Sequence, residues 1–297
     1  MTSSTQHYGW IPDLPDQRDL VHVVPTEVAQ ALPSAVDLRT FCPAVYDQGK
    51  LGSCTANAIA AALAFDQRKL ETPQRFTPSR LFIYYNERAL QGTASADTGA
   101  PLREGMKAVN HAGVCPEDQP EDTANWPYDP TQFASRPPDT CYAEARHVRA
   151  LHYRRLNHSL DSLKGCLAEG YPFVFGITVY ESFESPQVKQ TGAVVMPEKH
   201  ESVIGGHAMM AVGYDDARQA LIVRNSWGPN WGDQGYCYLP YDYLIARGLA
   251  RDFWTIRLIT DVISDGASAS VQASTTMVAP PAAPGSPAGL SQSSPLP

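Results

Sequence analysis

The chain has 297 residues, with 23 Lys and Arg against 31 Asp and Glu and a formal net charge of −8. Hydrophobic residues make up 43% and charged residues 18%, the composition of a globular protein of one large domain or one domain with two lobes. Acidity and scattered basic residues argue against nucleic acid as ligand, and the longest apolar stretches, Tyr171 to Tyr180 and Ala58 to Phe65, fall far short of the ~20 residues that cross a bilayer.

In chain order, residues 1–32 come first. Met1 to Trp10 contains no Lys or Arg and no apolar run, unlike a secretory signal. The run His7-Tyr8-Gly9-Trp10-Ile11-Pro12-Asp13-Leu14-Pro15-Asp16 mixes aromatics with prolines, and each Pro biases its predecessor away from helix. An extended strap that docks on something is expected here. Cys54 to Leu70 is Ala-rich, with Ile59, Ala62, Leu63 and Phe65, and reads as a buried helix beginning near Ser53. Pro78 to Leu90 and Leu102 to Asn110 are further helices, residues 111–138 a loop, and Leu160 to Glu169 a short helix.

The period then changes. Pro172 to Tyr180, Ala208 to Tyr214, Ala220 to Asn225 and Gly235 to Leu239 are short apolar strands, with a hairpin turn at Asp215-Asp216. Helices first and strands second imply an α+β chain with a helical lobe and a sheet lobe. Residues 263–297 are Ala, Ser, Pro and Gly with little else and read as a disordered tail. The six cysteines, at 42, 54, 115, 141, 166 and 237, show no C-x-x-C pair. If one is a working thiolate, five cannot all pair, so a reducing compartment is the simpler expectation: the cytoplasm, or a leaderless export route.

Three segments carry candidate chemistry. In Gln48-Gly49-Lys50-Leu51-Gly52-Ser53-Cys54, a Cys at a helix start sits at the positive end of the dipole, where thiolate is favoured. The Gln48 amide could donate to an oxyanion. By itself the Cys is more often a small buried hydrophobe. In Gly205-Gly206-His207-Ala208, the His opens a strand after two glycines and could act as a general base, or be an ordinary buried His. In Asn225-Ser226-Trp227-Gly228-Pro229-Asn230-Trp231-Gly232, the Asn oxygen could accept from the far ring nitrogen of His207, with Trp227 covering that bond. A turn Asn followed by structural Trp residues is the other reading.

Taken together, the segments resemble the papain-like (cathepsin-type) cysteine peptidases, whose Cys, His and Asn follow in this order. The likeness runs from about Pro33, in Pro33-Ser34-Ala35-Val36-Asp37-Leu38-Arg39, to Thr260. It implies a two-lobed papain-like fold: a helical lobe carrying Cys54, an antiparallel β-barrel-like lobe carrying His207 and Asn225, and a cleft between them. The implied domains are a strap at 1–32, a catalytic domain at 33–262 and the tail at 263–297.

By the same resemblance Cys54 is the nucleophile, His207 the base and acid, Asn225 its orienting group, and Gln48 with the Cys54 N–H the oxyanion hole. Gly99 pairs with substrate backbone, Ala208 lines the pocket for the residue two before the scissile bond, and Trp227 lines the leaving-group side. A coupled Cys54–His207 pair gives a bell-shaped pH profile. Peptides or proteins are the implied substrates; no metal, cofactor, nucleic acid or membrane is implied. The sequence departs from the family's secreted members at Leu51, which stands in place of a half-cystine, at Thr55, which replaces an aromatic, and in its short leading segment. These departures suggest a bacterial-type, leaderless branch. An acyl transferase using the same thioester, and a binding module with a relic cleft, are the competing readings. Residues 1–32 lie where family prosegments lie, so the strap either crosses the cleft and restricts access or packs on the back of the domain.

Overall fold

Helix α1 (Thr26–Gln30) and strand β1 (Ala35–Asp37) lead into three longer helices, α2 (Cys54–Lys69), α3 (Arg80–Leu90) and α4 (Leu102–Ala112). Then come α5 (Asp139–Ala145), β2 (Arg149–Arg155), α6 (Leu160–Ala168), β3 (Phe173–Tyr180), α7 (Pro186–Thr191) and β4 (Val203–Asp215). The chain continues through β5 (Ala220–Arg224), β6 (Tyr236–Pro240), α8 (Tyr241–Ile245) and β7 (Ala250–Ile259). The computed structural model describes residues 8–72, 75–119 and 123–259. The first seven residues and the Ala/Ser/Pro-rich tail lie outside the described residues. Those described fall in one compact unit that runs to Val262.

Each helix follows from its sequence. Every residue of α2 from Cys54 to Gln67 is buried, as expected of a helix whose small and apolar residues lie on all sides. Ser79 caps α3, its hydroxyl accepting from the Phe82 N–H at 3.1 Å. In α4, Leu102, Met106 and Val109 are buried at helical spacing. Ser159 caps α6 by accepting from the Ser162 N–H.

The sheet is antiparallel, in the order β2-β7-β3-β4-β5-β6, with β1 added alongside β4. Strand alternation divides its two faces. Val174, Ala208, Met210 and Val212 face a core shared with α2, α3 and α4. Phe173, Phe175, Ile177, Met209 and Ala211 face a second core, with Leu163 and Leu167 of α6 and with Tyr243 and Leu244 of α8. A register shift between Ala211 and Gly213 turns Tyr214 to this second core.

Four features differ from the expectations. The sheet is open and does not close into a barrel. Its outer strands are met by other segments instead: Val21 bridges Arg155 at one edge, and Ala193 bridges Tyr238 at the other. β4 begins at Val203, so Gly205 and Gly206 lie inside the strand and His207 is mid-strand. Those glycines do not break the strand; the rings of Tyr8 and Trp10 pack where their side chains would be. The strap ends in the short helix α1, which follows Pro25 and has no buried residue. Finally, β2 and β7 were not predicted; β2 carries four basic or His positions in seven and shows little apolar alternation. All six cysteines are free thiols.

Candidate active site

Cys54 is the first residue of α2 and is fully buried. The backbone N–H groups of Ala208, Gly9 and Thr55 act on its thiol. The first of these places the thiol beside β4, one residue from His207.

His207 is fully buried, with its Nε2 2.7 Å from Asn225 Oδ1. Asn225 directly follows β5, and its Oδ1 also accepts from the Ser226 N–H at 2.8 Å. That second bond fixes the amide orientation, because the NH2 group could not face a backbone donor. Nε2 of His207 therefore carries the proton and Nδ1 is left as an acceptor. Nδ1 has no hydrogen-bond partner among the described residues. The Trp227 ring lies 4.8 Å from the imidazole at an interplanar angle of 31° and shields the His207–Asn225 bond from water. Phe183 and Trp231 support Trp227 from behind.

Gln48 is buried beneath the turn that leads into α2. Its Nε2 donates to Leu51 O at 2.9 Å, and its Oε1 accepts from Ser226 Oγ at 2.6 Å. Tyr128 Oη donates to Gln48 O at 3.0 Å and lies 2.6 Å from Ser53 Oγ. The sequence reading missed Ser226 and Tyr128 as supports. Ser226 was visible as the neighbour of Asn225, whereas Tyr128 comes from a loop with no local signal.

The strap crosses this constellation. Trp10 N–H donates to Gly206 O at 3.0 Å, Ala100 N–H to Gly9 O at 2.8 Å, and Ile11 N–H to Ala100 O at 3.1 Å. Trp10 and Ala100 form a parallel bridge. The Trp10 ring is buried against Gly176 and Gly206. The Tyr8 ring meets both His207 and Trp227 edge-on at 6.1 Å, and its hydroxyl donates to Glu184. Gly9 lies so close to Gly52 that a Cβ would fall 1.7 Å from Gly52 O. Of the expected substrate-binding residues, Gly99 has φ +70° and sits under Gly9, its N–H going to Tyr84 Oη at 3.2 Å. Ala100, the next residue, pairs with the strap, and the Ala208 N–H acts on the thiol.

Comparison with known proteins settles the family. The model of the papain family cysteine proteases matches residues 32–244. The chain belongs to the papain family of cysteine proteases. It is 43% identical to xylellain, a cysteine protease from Xylella fastidiosa, whose crystal structure superposes with a TM-score of 0.77 over 85% of this chain and 96% of that one. An uncharacterized peptidase C1-like protein of Acanthamoeba polyphaga mimivirus is 40% identical over 289 residues, 89% of this chain and 91% of its own. A procathepsin B from Trypanosoma congolense shares the fold, with a TM-score of 0.64 at 17% identity, covering 85% of this chain and 86% of that one. As a papain-family protease the chain is a cysteine endopeptidase acting on peptide or protein substrates. Among the described residues no helix is long and apolar enough to cross a membrane.

The electrostatics of this papain-family site reflect its burial. Burial pushes the Cys54 thiol up to about 11, against the smaller opposing pull of N–H groups from Ala208, Gly9 and Thr55. Burial also pushes His207 down to about 4, despite its bond to Asn225. Under the strap the pair is thus a thiol and a neutral imidazole near neutral pH. Burial thus acts on Cys54 in the direction opposite to the thiolate that a helix start favours. Directly behind Cys54, Thr55 Oγ1 donates to Glu87 Oε1 at 2.6 Å. Glu87 is fully buried, and its Oε2 has no partner among the described residues. Burial raises its carboxyl to about 8, so it holds a proton at neutral pH.

Proposed function

We propose that the protein hydrolyses peptide bonds through a thioester at Cys54, with His207 as base and acid, Asn225 as orienting group and Gln48 with the Cys54 N–H as oxyanion donors. The observation that carries the reading is the His207 Nε2–Asn225 Oδ1 bond at 2.7 Å, which leaves Nδ1 to take the thiol proton. In this account the Cys54 thiolate attacks the scissile carbonyl, and the Gln48 amide stabilises the charge on its oxygen. His207 then protonates the leaving amine and activates the water that cleaves the thioester.

The strap restricts the cleft. Its support is the backbone pairing of Gly9 and Ile11 with Ala100, the contact of Gly9 N–H with Cys54, and the edge-on Tyr8 ring over His207. A buried Trp such as Trp10 removes about 150–250 Å² from water, worth roughly 4–6 kcal/mol before ordering costs. Closed and open forms therefore differ in activity, the open form having a solvated pair that ionises and a bell-shaped pH profile. Product masses from an unblocked peptide, with and without an added amine, test the reading. Hydrolysis products are expected in both, and none from Cys54→Ala. Amide product dominating over acid would make the protein a transferase, and turnover by Cys54→Ala would overturn the assignment.

A further inference from the structure

The two oxyanion donors come from opposite sides of one turn. Gln48 precedes it and Cys54 follows it, with Gly49, at φ +61°, and Gly52 between them. Glycines leave such a turn few constraints of its own, so the spacing of the donors depends on what ties its two sides together. Arg80, the first residue of α3 and 8% exposed, reaches both sides. Its Nη1 donates to Asp47 O at 3.2 Å, next to Gln48, and to Asn57 Oδ1 at 3.2 Å, on α2. Asn57 Nδ2 in turn donates to Ser53 O at 2.9 Å and to Ser53 Oγ at 3.0 Å, next to Cys54.

The guanidinium is itself held at its edge and against its plane. Nε and Nη2 make a fork to the Glu117 carboxylate, with bonds of 2.9 and 2.6 Å. The Tyr128 ring lies 3.8 Å from the guanidinium carbon and the Tyr46 ring 4.7 Å. Tyr46 stands just before Asp47 and Gln48, so this contact also holds the chain entering the turn. Tyr128 adds a second tie across the same turn, its hydroxyl bonded to Gln48 O and to Ser53 Oγ. Only a planar group with several fixed donors can stack on aromatic rings, grip a carboxylate with two bonds and still reach two further acceptors. A lysine ammonium is a point charge without a plane and cannot do all three.

We propose that Arg80, with Tyr128 stacked on it, is a positioning residue for the oxyanion hole: it sets the Gln48 amide at its distance from the Cys54 N–H. The inference rests on the reading of these two groups as oxyanion donors and adds what fixes their separation. Arg80 touches no reacting atom. Its bonds end on Asp47 and Asn57, and it acts through Gln48 and Ser53. Misplacing a catalytic group by about 1 Å can cost of the order of 10²-fold in rate. An oxyanion donor works on charge that develops only in the transition state. Loosening the hole therefore lowers kcat and leaves KM nearly as it was.

The test is steady-state peptide hydrolysis by the full-length chain as wild type, Arg80→Lys, Gln48→Ala and the double variant. Arg80→Lys keeps a charge opposite Glu117 and loses the fork and the plane. It is expected to lower kcat by about ten- to a hundredfold, with KM held within about twofold. In the Gln48→Ala background the same exchange should cost less than about threefold, because its effect passes through Gln48. An equal loss of kcat in both backgrounds, or a change in KM alone, makes Arg80 a purely structural residue and overturns the proposal. Tyr128→Phe keeps the ring under Arg80 and removes both hydroxyl ties, so it carries the same cycle if Arg80→Lys does not fold. Its loss of kcat should shrink in the same way, and a loss undiminished by Gln48→Ala overturns the proposal too. Failure of the oxyanion reading itself would look different: Gln48→Ala alone would leave kcat unaltered.

Discussion

Gln48 shows how much of this site depends on single side chains held from several directions. Ser226 supplies a hydroxyl to its oxygen and Leu51 a carbonyl to its nitrogen, so the amide cannot rotate freely. An oxyanion donor, the role proposed for Gln48, is worth roughly 3–4 kcal/mol in the barrier. Gln48→Ala is expected to lower kcat by about 10²–10³-fold with KM little changed. Steady-state kinetics on a peptide would check it, and an unaltered kcat would remove Gln48 from the machinery. At this scale the sequence was informative. The family resemblance named Gln48, Cys54, His207 and Asn225, and the structure sets His207 against Asn225 and Gln48 against Ser226. Protonation was less legible. A Cys at a helix start reads as a thiolate, but the buried thiol under Gly9 and Ala208 is pushed the other way, and nothing in a linear sequence reports that burial.

At the scale of elements, the Thr55–Glu87 bond fastens the start of α2 to α3. Glu87 is a carboxyl raised to about 8 by burial. Its contribution to folding is therefore complete below the ordinary carboxyl value and is lost as pH rises through about 8. Denaturant unfolding should show stability falling across that window, by about 1 kcal/mol per pH unit. Glu87→Gln should remove this fall, and an identical slope in the variant would contradict the burial argument. Elements such as α2, α4 and β3 were legible because each is decided by its own residues: a helix of small apolar residues on all sides, an amphipathic helix and an apolar strand. β2 and β7 were not. The segment Arg149 to Arg155 is mostly basic, and it is a strand because Leu20 and His22 of the strap and the run of β7 pair with it. The extent of β4 was hidden for a similar reason: Gly205 and Gly206 resemble a strand boundary until Tyr8 and Trp10 are seen to need the space.

Over the whole molecule, one open sheet separates two cores, and the strap stitches them on one side. It touches the sheet edge at Arg155, then Asp252, Gly206 and finally Cys54. Its chain direction at the cleft, parallel to Ala100, is fixed by the order of these contacts along the strap. The central claim is that Cys54 is an activatable nucleophile kept quiet by this strap. Its most direct test is intact-mass labelling with a thiol-reactive epoxide, on the full chain and on Gly9→Ala, whose added Cβ would fall 1.7 Å from Gly52 O and so lift the strap from the thiol. A single adduct at Cys54, slow in the wild type and at least tenfold faster in Gly9→Ala, is the expected result. Equal rates in the two chains, or an adduct at another cysteine, would contradict it.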